Sequence, residues 1–407
     1  MLLFATSFLS CDKDDDEDLN DMDDPKTEVE CAEVMETLVK NDNNFGFKLF
    51  QEINALEGED VNIFASSLSV ATAMAMTYNG ASNATAAEMK DGLLLDNLTD
   101  EEINEGYKCL LETLADLDEQ VVLDIANSIW CREGYPVRED FFNTNQDYFQ
   151  SEVKSLDFND PESVEIINTW IADNTNDKIL DMLDMIPADA VMYLINAIYF
   201  RGTWKYEFDE ELTQAGDFYK EDNTAITVNY MKQQADFDFL VTDAFTAIDL
   251  PYGNHDYSMT IFLPEYGHTV NEVIADLSEE NWNTWLADFE ETEVVLTMPK
   301  FNVEYKTLLN ESLQNIGIQR AFEENSDNFL NINDDALYIS RVIHQSFIEV
   351  SEVGTEAAAA TIVEIVTESA EPNQPPHLSL NRPFFFVIRE HVKGTVLFLG
   401  KIVEPGS

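Results

Sequence analysis

Five histidines and four cysteines are the side chains of this chain best suited to hold a metal or attack a substrate, and their spacing favours neither. His255, His268, His344, His377 and His391 show no metal-ligand spacing, so no metal is expected. Cys11, Cys31, Cys109 and Cys131 contain no CxxC pair, which argues against a disulfide framework. Cys109 sits in a helical pattern with Tyr107, Leu110, Leu111 and Leu114, and Cys131 ends a strand-like run, so both read as small core or edge residues. The nucleophile elbow GxSxG, the zinc motif HExxH and the dinucleotide fingerprint GxGxxG do not occur. Gly394 to Lys401 approaches a phosphate loop, but five residues separate its glycines and Ile402 stands where a hydroxyl is required. Neither an enzyme nor a cofactor is expected.

The segment from Phe347 to Thr361, FIEVSEVGTEAAAAT, carries a different kind of chemistry, that of a strand built to move. Gly354 frees the backbone, and Thr355, Glu356 and the alanines 357 to 360 lead into Ile362, Val363, Ile365 and Val366, which favour strand. Side chains alternate between the faces of a strand, so Thr355, Ala357, Ala359, Thr361, Val363, Ile365 and Thr367 share one face without a charge. Glu356, Ala358, Ala360, Ile362, Glu364, Val366 and Glu368 share the other. Four alanines also suit a helix, but acids of a single parity fit period 2. An uncharged face that is small at its leading end can slide between two existing strands.

This run resembles the reactive-loop hinge of the serpins, and four further blocks resemble that family in order. They are Asn62 to Met89 (NIFASSLSVATAMAMTYNGASNATAAEM), Asn196 to Trp204 (NAIYFRGTW), Leu337 to Val350 (LYISRVIHQSFIEV) and Asn381 to Pro405 (NRPFFFVIREHVKGTVLFLGKIVEP). One departure is Ser67, where the family's Phe-Ser-Pro usually has proline. The resemblance implies a protease inhibitor that acts as a suicide substrate, with a serine or cysteine protease trapped as an acyl-enzyme while the hinge inserts into a central sheet. Serpin loop insertion is a known strand addition that releases stored strain, so this driving force is implied by the resemblance rather than read from these residues. Counted from Glu352, family spacing puts the cleaved bond at Glu368-Ser369, with Thr367-Glu368 and Val366-Thr367 as the alternatives, within a reactive loop of about residues 352 to 380. The hinge would be Glu352, Gly354, Thr355, Glu356, Ala357, Ala358, Ala359, Ala360 and Thr361. Ser66, Ser69, Asn196 and His344 match the cluster beneath the point where the sheet opens, and Trp204 its upper end. A non-inhibitory serpin-like binding or storage protein is the alternative.

These residues need a scaffold. Helical periodicity runs through Phe45 to Ile53, Leu68 to Tyr78 and Thr85 to Leu93, the last with Thr85 and Glu88 spaced as a capping box. Further helices are expected at 99 to 117, 138 to 149, 162 to 175, 270 to 287 and 306 to 316. Strands are expected at Val121 to Trp130, Ala190 to Phe200, Ala247 to Leu250, Tyr257 to Leu263, Glu293 to Pro299, Tyr338 to Val350, Phe384 to Glu390 and Thr395 to Ile402. Helices early and strands late predict an α+β fold with large, mostly antiparallel sheets. Hydrophobic residues make up 45% and no linker interrupts them, so residues 41 to 407 read as one domain.

Eighty acidic against 22 basic residues give a net charge of −58, of which residues 12 to 30 contribute −9. Nucleic acid and anionic membranes are poor partners for such a surface, and self-repulsion on the folded body predicts a protein that depends on salt. Residues 1 to 11, MLLFATSFLSC, resemble the end of a bacterial lipoprotein signal with a lipobox at Phe8 to Cys11. The usual basic start of such a signal is missing, so the chain reads as truncated there. Cys11 is then a lipidation site, residues 12 to 40 an acidic flexible tether, and the protein a monomer at the cell surface or outside the cell, touching a membrane only through lipid.

Overall fold

The computed structural model describes residues 25–115, 117–355 and 375–406. The helices are α1 (Pro25–Glu57), α2 (Ser67–Tyr78), α3 (Asn83–Gly92), α4 (Asp100–Leu114), α5 (Glu139–Phe149), α6 (Glu162–Asp173), α7 (Val270–Ala275), α8 (Glu279–Ala287) and α9 (Asn310–Asn315). The strands are β1 (Ile63–Ala65), β2 (Val121–Arg132), β3 (Glu152–Leu156), β4 (Met192–Thr203), β5 (Gln214–Tyr219), β6 (Ala225–Val241), β7 (Phe245–Tyr252), β8 (Tyr257–Pro264), β9 (Glu290–Pro299), β10 (Phe301–Leu308), β11 (Ile343–Val350), β12 (Gly354–Thr355), β13 (His377–Ser379), β14 (Phe384–Glu390) and β15 (Val396–Ile402). The fold is α+β, as the distribution of helical and strand patterns predicts.

Two sheets organise the described residues. One has nine strands in the order β1-β15-β14-β8-β7-β6-β9-β13, with β5 paired to β6. The other has six, in the order β10-β11-β12-β4-β2-β3. Alternation along β2 and β4 separates two apolar clusters: Ile129, Ile198 and Phe200 join the large core with α2 and the nine-stranded sheet, while Trp130, Ile195 and Ala197 pack against Ile167, Trp170 and Ile171 of α6. One face of the six-stranded sheet is thus buried by the large core, while the other is covered where α6 packs on it and is open at Arg201 of β4 and at Asn302, Glu304 and Lys306 of β10.

Several expectations need correction. Thr85 does not cap α3; the helix starts at Asn83, the Thr85 hydroxyl donates to Asn328 Oδ1 (2.7 Å), and Glu88 accepts from the backbone N–H groups of Gln319 and Arg320. Tertiary partners outcompete the local cap. The capping boxes lie instead at Thr99/Glu102 and Thr269/Glu272. The helix expected over 270 to 287 is split, since Ser278 caps the second piece. That expected over 306 to 316 is only partly helical: β10 runs on to Leu308, with Phe301, Val303 and Tyr305 facing the core between exposed Asn302, Glu304 and Lys306.

The acidic tether is shorter than composition suggests, because α1 begins at Pro25 and buries Met35, Leu38 and Val39. Its start is also tied covalently: Cys31 and Cys109 form a disulfide across 78 residues, linking α1 to α4. Cysteine spacing carries no sign of it, because the pair is brought together by helix packing. Cys131 is free and buried, as its strand position suggests.

Candidate functional site: the opening in the six-stranded sheet

Strands β4 and β11 are central in sequence pattern yet share no ladder among the described residues. Each pairs on its outer side, β4 with β2 and β11 with β10, and the two meet only through β12. After Val350 the chain reverses through Ser351 to Val353, where the Ser351 N–H donates to Gly354 O (2.9 Å). It then returns as β12, with Thr355 opposite Val350 on one side and Gly202 on the other, and Gly354 opposite Thr203. Below this wedge no described strand pairs with either inner edge, the arrangement that templates another strand. A cavity of about 540 Å³ lies there, lined by Ser69 and Val70 of α2, Ile195 and Asn196 of β4, and Ile343 and His344 of β11.

Steric fit explains the hinge glycine. A Cβ on Gly354 would stand 2.1 Å from Gly202 O and 2.8 Å from Thr203 Cα. Close approach to β4, rather than the unusual backbone angle that its sequence context suggests, is what requires glycine. Thr355 is buried, and its hydroxyl shares a 2.5 Å hydrogen bond with the Tyr252 hydroxyl. The Tyr252 ring stacks on Trp204 with centroids 4.3 Å apart, an arrangement worth about 1 kcal/mol beyond area burial. Trp204 in turn holds the reversal, donating Nε1–H to Ser351 O (3.0 Å) and its backbone N–H to Val353 O (2.9 Å). Glu352 is pinned as well: Lys300 Nζ lies 2.7 Å from one carboxylate oxygen and the Thr213 hydroxyl donates to the other at 2.7 Å. Burial alone raises the Glu352 pKa, but these donors outweigh it and hold the carboxyl below its usual value.

At the lower end the expected cluster is partly assembled. Ser66 caps α2, its hydroxyl accepting from Ser69 N–H (3.1 Å) and donating to Leu397 O (2.9 Å). The Ser66 N–H donates to His344 Nε2 at 3.2 Å, so helix, sheet opening and histidine are one unit. Desolvation lowers the His344 pKa to about 4, which keeps the imidazole neutral and able to accept. Ser67, at the family's proline position, donates its hydroxyl to Val396 O (3.2 Å) and so anchors the helix start differently. Asn196 lines the same cavity as His344; its amide donates to Asn127 Oδ1 (2.8 Å), and its own Oδ1 is buried without a partner among the described residues, as is Gln345 Oε1. Buried acceptors that have no partner among the described residues, on two strands whose facing edges likewise have none there, are ready for a new donor.

The structure brings Ser66, Ser69, Asn196, Trp204, His344, Glu352, Gly354 and Thr355 together about this opening. Tyr252, Asn127, Lys300 and Thr213 join them from remote strands and loops and carry no local signal in the sequence. Thr355 is already in the sheet, whereas the hinge pattern makes it the first residue that would have to enter. Glu356, Ala357, Ala358, Ala359, Ala360, Thr361, the bond Glu368-Ser369 and Cys11 lie outside the described residues.

Comparison with known proteins agrees with this geometry. The family model described as serpin (serine protease inhibitor) matches residues 40–405. A relative is an uncharacterized serpin-like protein of Methanosarcina acetivorans, 35% identical over 372 residues, covering 89% of this chain and 87% of the relative. Among solved structures, the thermophilic serpin tengpin in its native state has a TM-score of 0.83 at 30% identity, with 90% of this chain and 94% of tengpin covered. Human thyroxine-binding globulin complexed with thyroxine also scores 0.83, at 26% identity, with 92% and 100% covered. The split sheet with its wedged hinge, found in a chain matched over nearly its whole length, means that this protein belongs to the serpin family.

Proposed function

We propose that the protein inhibits a serine or cysteine protease by inserting its cleaved loop between β4 and β11. The observation that carries this reading is that β12 already pairs with both strands, Thr355 with Val350 and Gly202 and Gly354 with Thr203, while the edges below have no described partner. Continuing the same register puts Ala357 opposite Phe200, Ala359 opposite Ile198 and Thr361 opposite Asn196. Phe200 and Ile198 belong to the large core, so the face that would turn inward is the uncharged one. Glu356 would stand opposite the exposed Arg201. Thyroxine-binding globulin, of similar fold, carries a ligand on this scaffold, but a small uncharged hinge face favours insertion here.

In the reaction, the protease nucleophile attacks the Glu368 carbonyl, the Glu368-Ser369 amide breaks, and Ser369 leaves as an amine. Glu368 stays joined to the protease as an ester or thioester while the freed strand zips into the opening and carries the protease away. Ten positions of β4 below the wedge, 192 to 201, are available for pairing. On the order of ten hydrogen bonds at about 1 kcal/mol each amount to about as much as the whole stability of a typical domain. That is enough to distort a tethered enzyme before water completes hydrolysis.

The test is incubation with a panel of serine and cysteine proteases. An SDS-resistant complex and release of Ser369 to Ser407, 39 residues, are expected. Cleavage without a stable complex for every protease would sink the inhibitory reading in favour of binding or storage. A lipid at Cys11, holding the inhibitor at the outside of a bacterial cell, completes the proposal; a Cys11→Ala chain with a full signal should leave the membrane fraction.

A further inference from the structure

The fold joins three side chains of metal-ligating type outside the sheet opening, and they are unrelated in sequence spacing. Asp249 lies in β7, His255 in the turn before β8, and His391 directly after β14. Their donor atoms lie within 4.8 Å of one another. Asp249 is buried, 1% exposed, and its two oxygens differ. Oδ1 is fully engaged: it accepts from the Ser258 hydroxyl (2.9 Å), from the Thr260 hydroxyl and from Arg389 Nη2 (3.2 Å). Oδ2 has no hydrogen-bond partner among the described residues although it is buried, and it faces His391 Nε2 at 3.6 Å and His255 Nε2 at 3.8 Å.

Those separations are too long for hydrogen bonds but suit donors that share one ion, since ligands about 2.1 Å from a tetrahedral zinc stand roughly 3.4 Å apart. Both imidazoles are partly exposed, so solvent reaches the site and the rings can close on an ion from outside. The three hydrogen bonds to Oδ1 fix the carboxylate as an outer shell fixes a metal ligand.

We infer that Asp249 Oδ2, His255 Nε2 and His391 Nε2 form a binding site for a divalent transition metal of the zinc class, with solvent completing the coordination. Two imidazoles and one carboxylate select such a metal over magnesium or calcium, which prefer oxygen ligands. On binding, His391 exchanges its 2.8 Å contact with the Ser258 hydroxyl for the ion. Arg389 neutralises Asp249 and weakens the site, while the net charge of −58 draws cations towards the molecule.

The experiment must separate this site from a surface with 80 acidic residues. Zinc binding to the full chain is measured by equilibrium dialysis in a large excess of magnesium, and cobalt absorption spectra report nitrogen ligation. One zinc per chain is expected, with a cobalt spectrum showing imidazole ligands. His255→Ala and His391→Ala should each weaken zinc binding at least about 10-fold, while His268→Ala, at an exposed position elsewhere, leaves it unchanged. Metal-free melting curves of each variant confirm that it folds, and Asp249 is left intact because it also anchors Arg389. Loss of binding in excess magnesium, or zinc binding that survives both histidine substitutions, overturns the proposal.

Discussion

Replacing Ala357 by Arg tests the insertion mechanism where the register makes its sharpest demand. The continued ladder sets residue 357 opposite Phe200, which is buried and packs against Tyr252, Tyr257 and Phe398 with centroids 5.2 to 6.3 Å away. A guanidinium there has no partner, and such an uncompensated buried charge costs about 4 kcal/mol. About ten new hydrogen bonds at ~1 kcal/mol each still favour full insertion, so the end state survives. The rate does not. If half the cost is already felt in the transition state, about 2 kcal/mol slows insertion roughly 30-fold, and deacylation then competes. The assay titrates protease activity against inhibitor and follows the complex on SDS gels. Ala357→Arg should need many more molecules to silence each protease and should recover activity with time, with its cleaved form still more heat-resistant than the intact one. Glu356→Gln, opposite solvent-exposed Arg201, should trap like the parent. Equal trapping by Ala357→Arg and the parent would refute both the register and the mechanism.

Protease choice follows from the loop: Val350 to Leu380 holds no Lys or Arg, so enzymes cutting after acidic or small residues should be trapped, and rapid stoichiometric trapping of trypsin would refute the bond at Glu368-Ser369. His344 makes stability fall with acid. Its folded pKa of about 4 lies below its unfolded 6.5, so the unfolded chain takes up the proton first between those values, costing about 2 kcal/mol at pH 5. Asp42, raised by burial to about 7, works in the opposite direction, so the measurement is the difference in urea midpoint shift between parent and His344→Gln, expected to flatten the acid side. Removing the Cys31–Cys109 link by Cys31→Ser should lower stability by about 4.5 kcal/mol on the chain-entropy account for a sequence separation of 78; an unchanged melting temperature would deny it that role. Added NaCl should raise the melting temperature by screening a charge of −58, and insensitivity to salt would count against self-repulsion.

The sequence alone determined what is periodic or contiguous. The apolar runs of β7, β8, β14 and β15, the helix from Ser67, and the single-parity acids after Gly354 are local patterns, because the side-chain period of a strand or helix is set by its own backbone. The uncharged face of the hinge is likewise readable before any partner strand is known. What only the tertiary structure decided depends on residues far apart in the chain. The Cys31–Cys109 link arises because α1 packs on α4, and the Asp249, His255 and His391 cluster because a β7–β8 turn meets the end of β14. The Thr85 cap failed for the same reason, its hydroxyl being claimed by Asn328 from 243 residues away. Most decisively, no pattern in β4 or β11 says whether two apolar strands pair with each other or stand apart. That choice rests on Tyr252, Trp204 and Lys300 gripping the hinge, and on His344 and Ser66 bracing the lower end, so it exists only once the whole chain has packed.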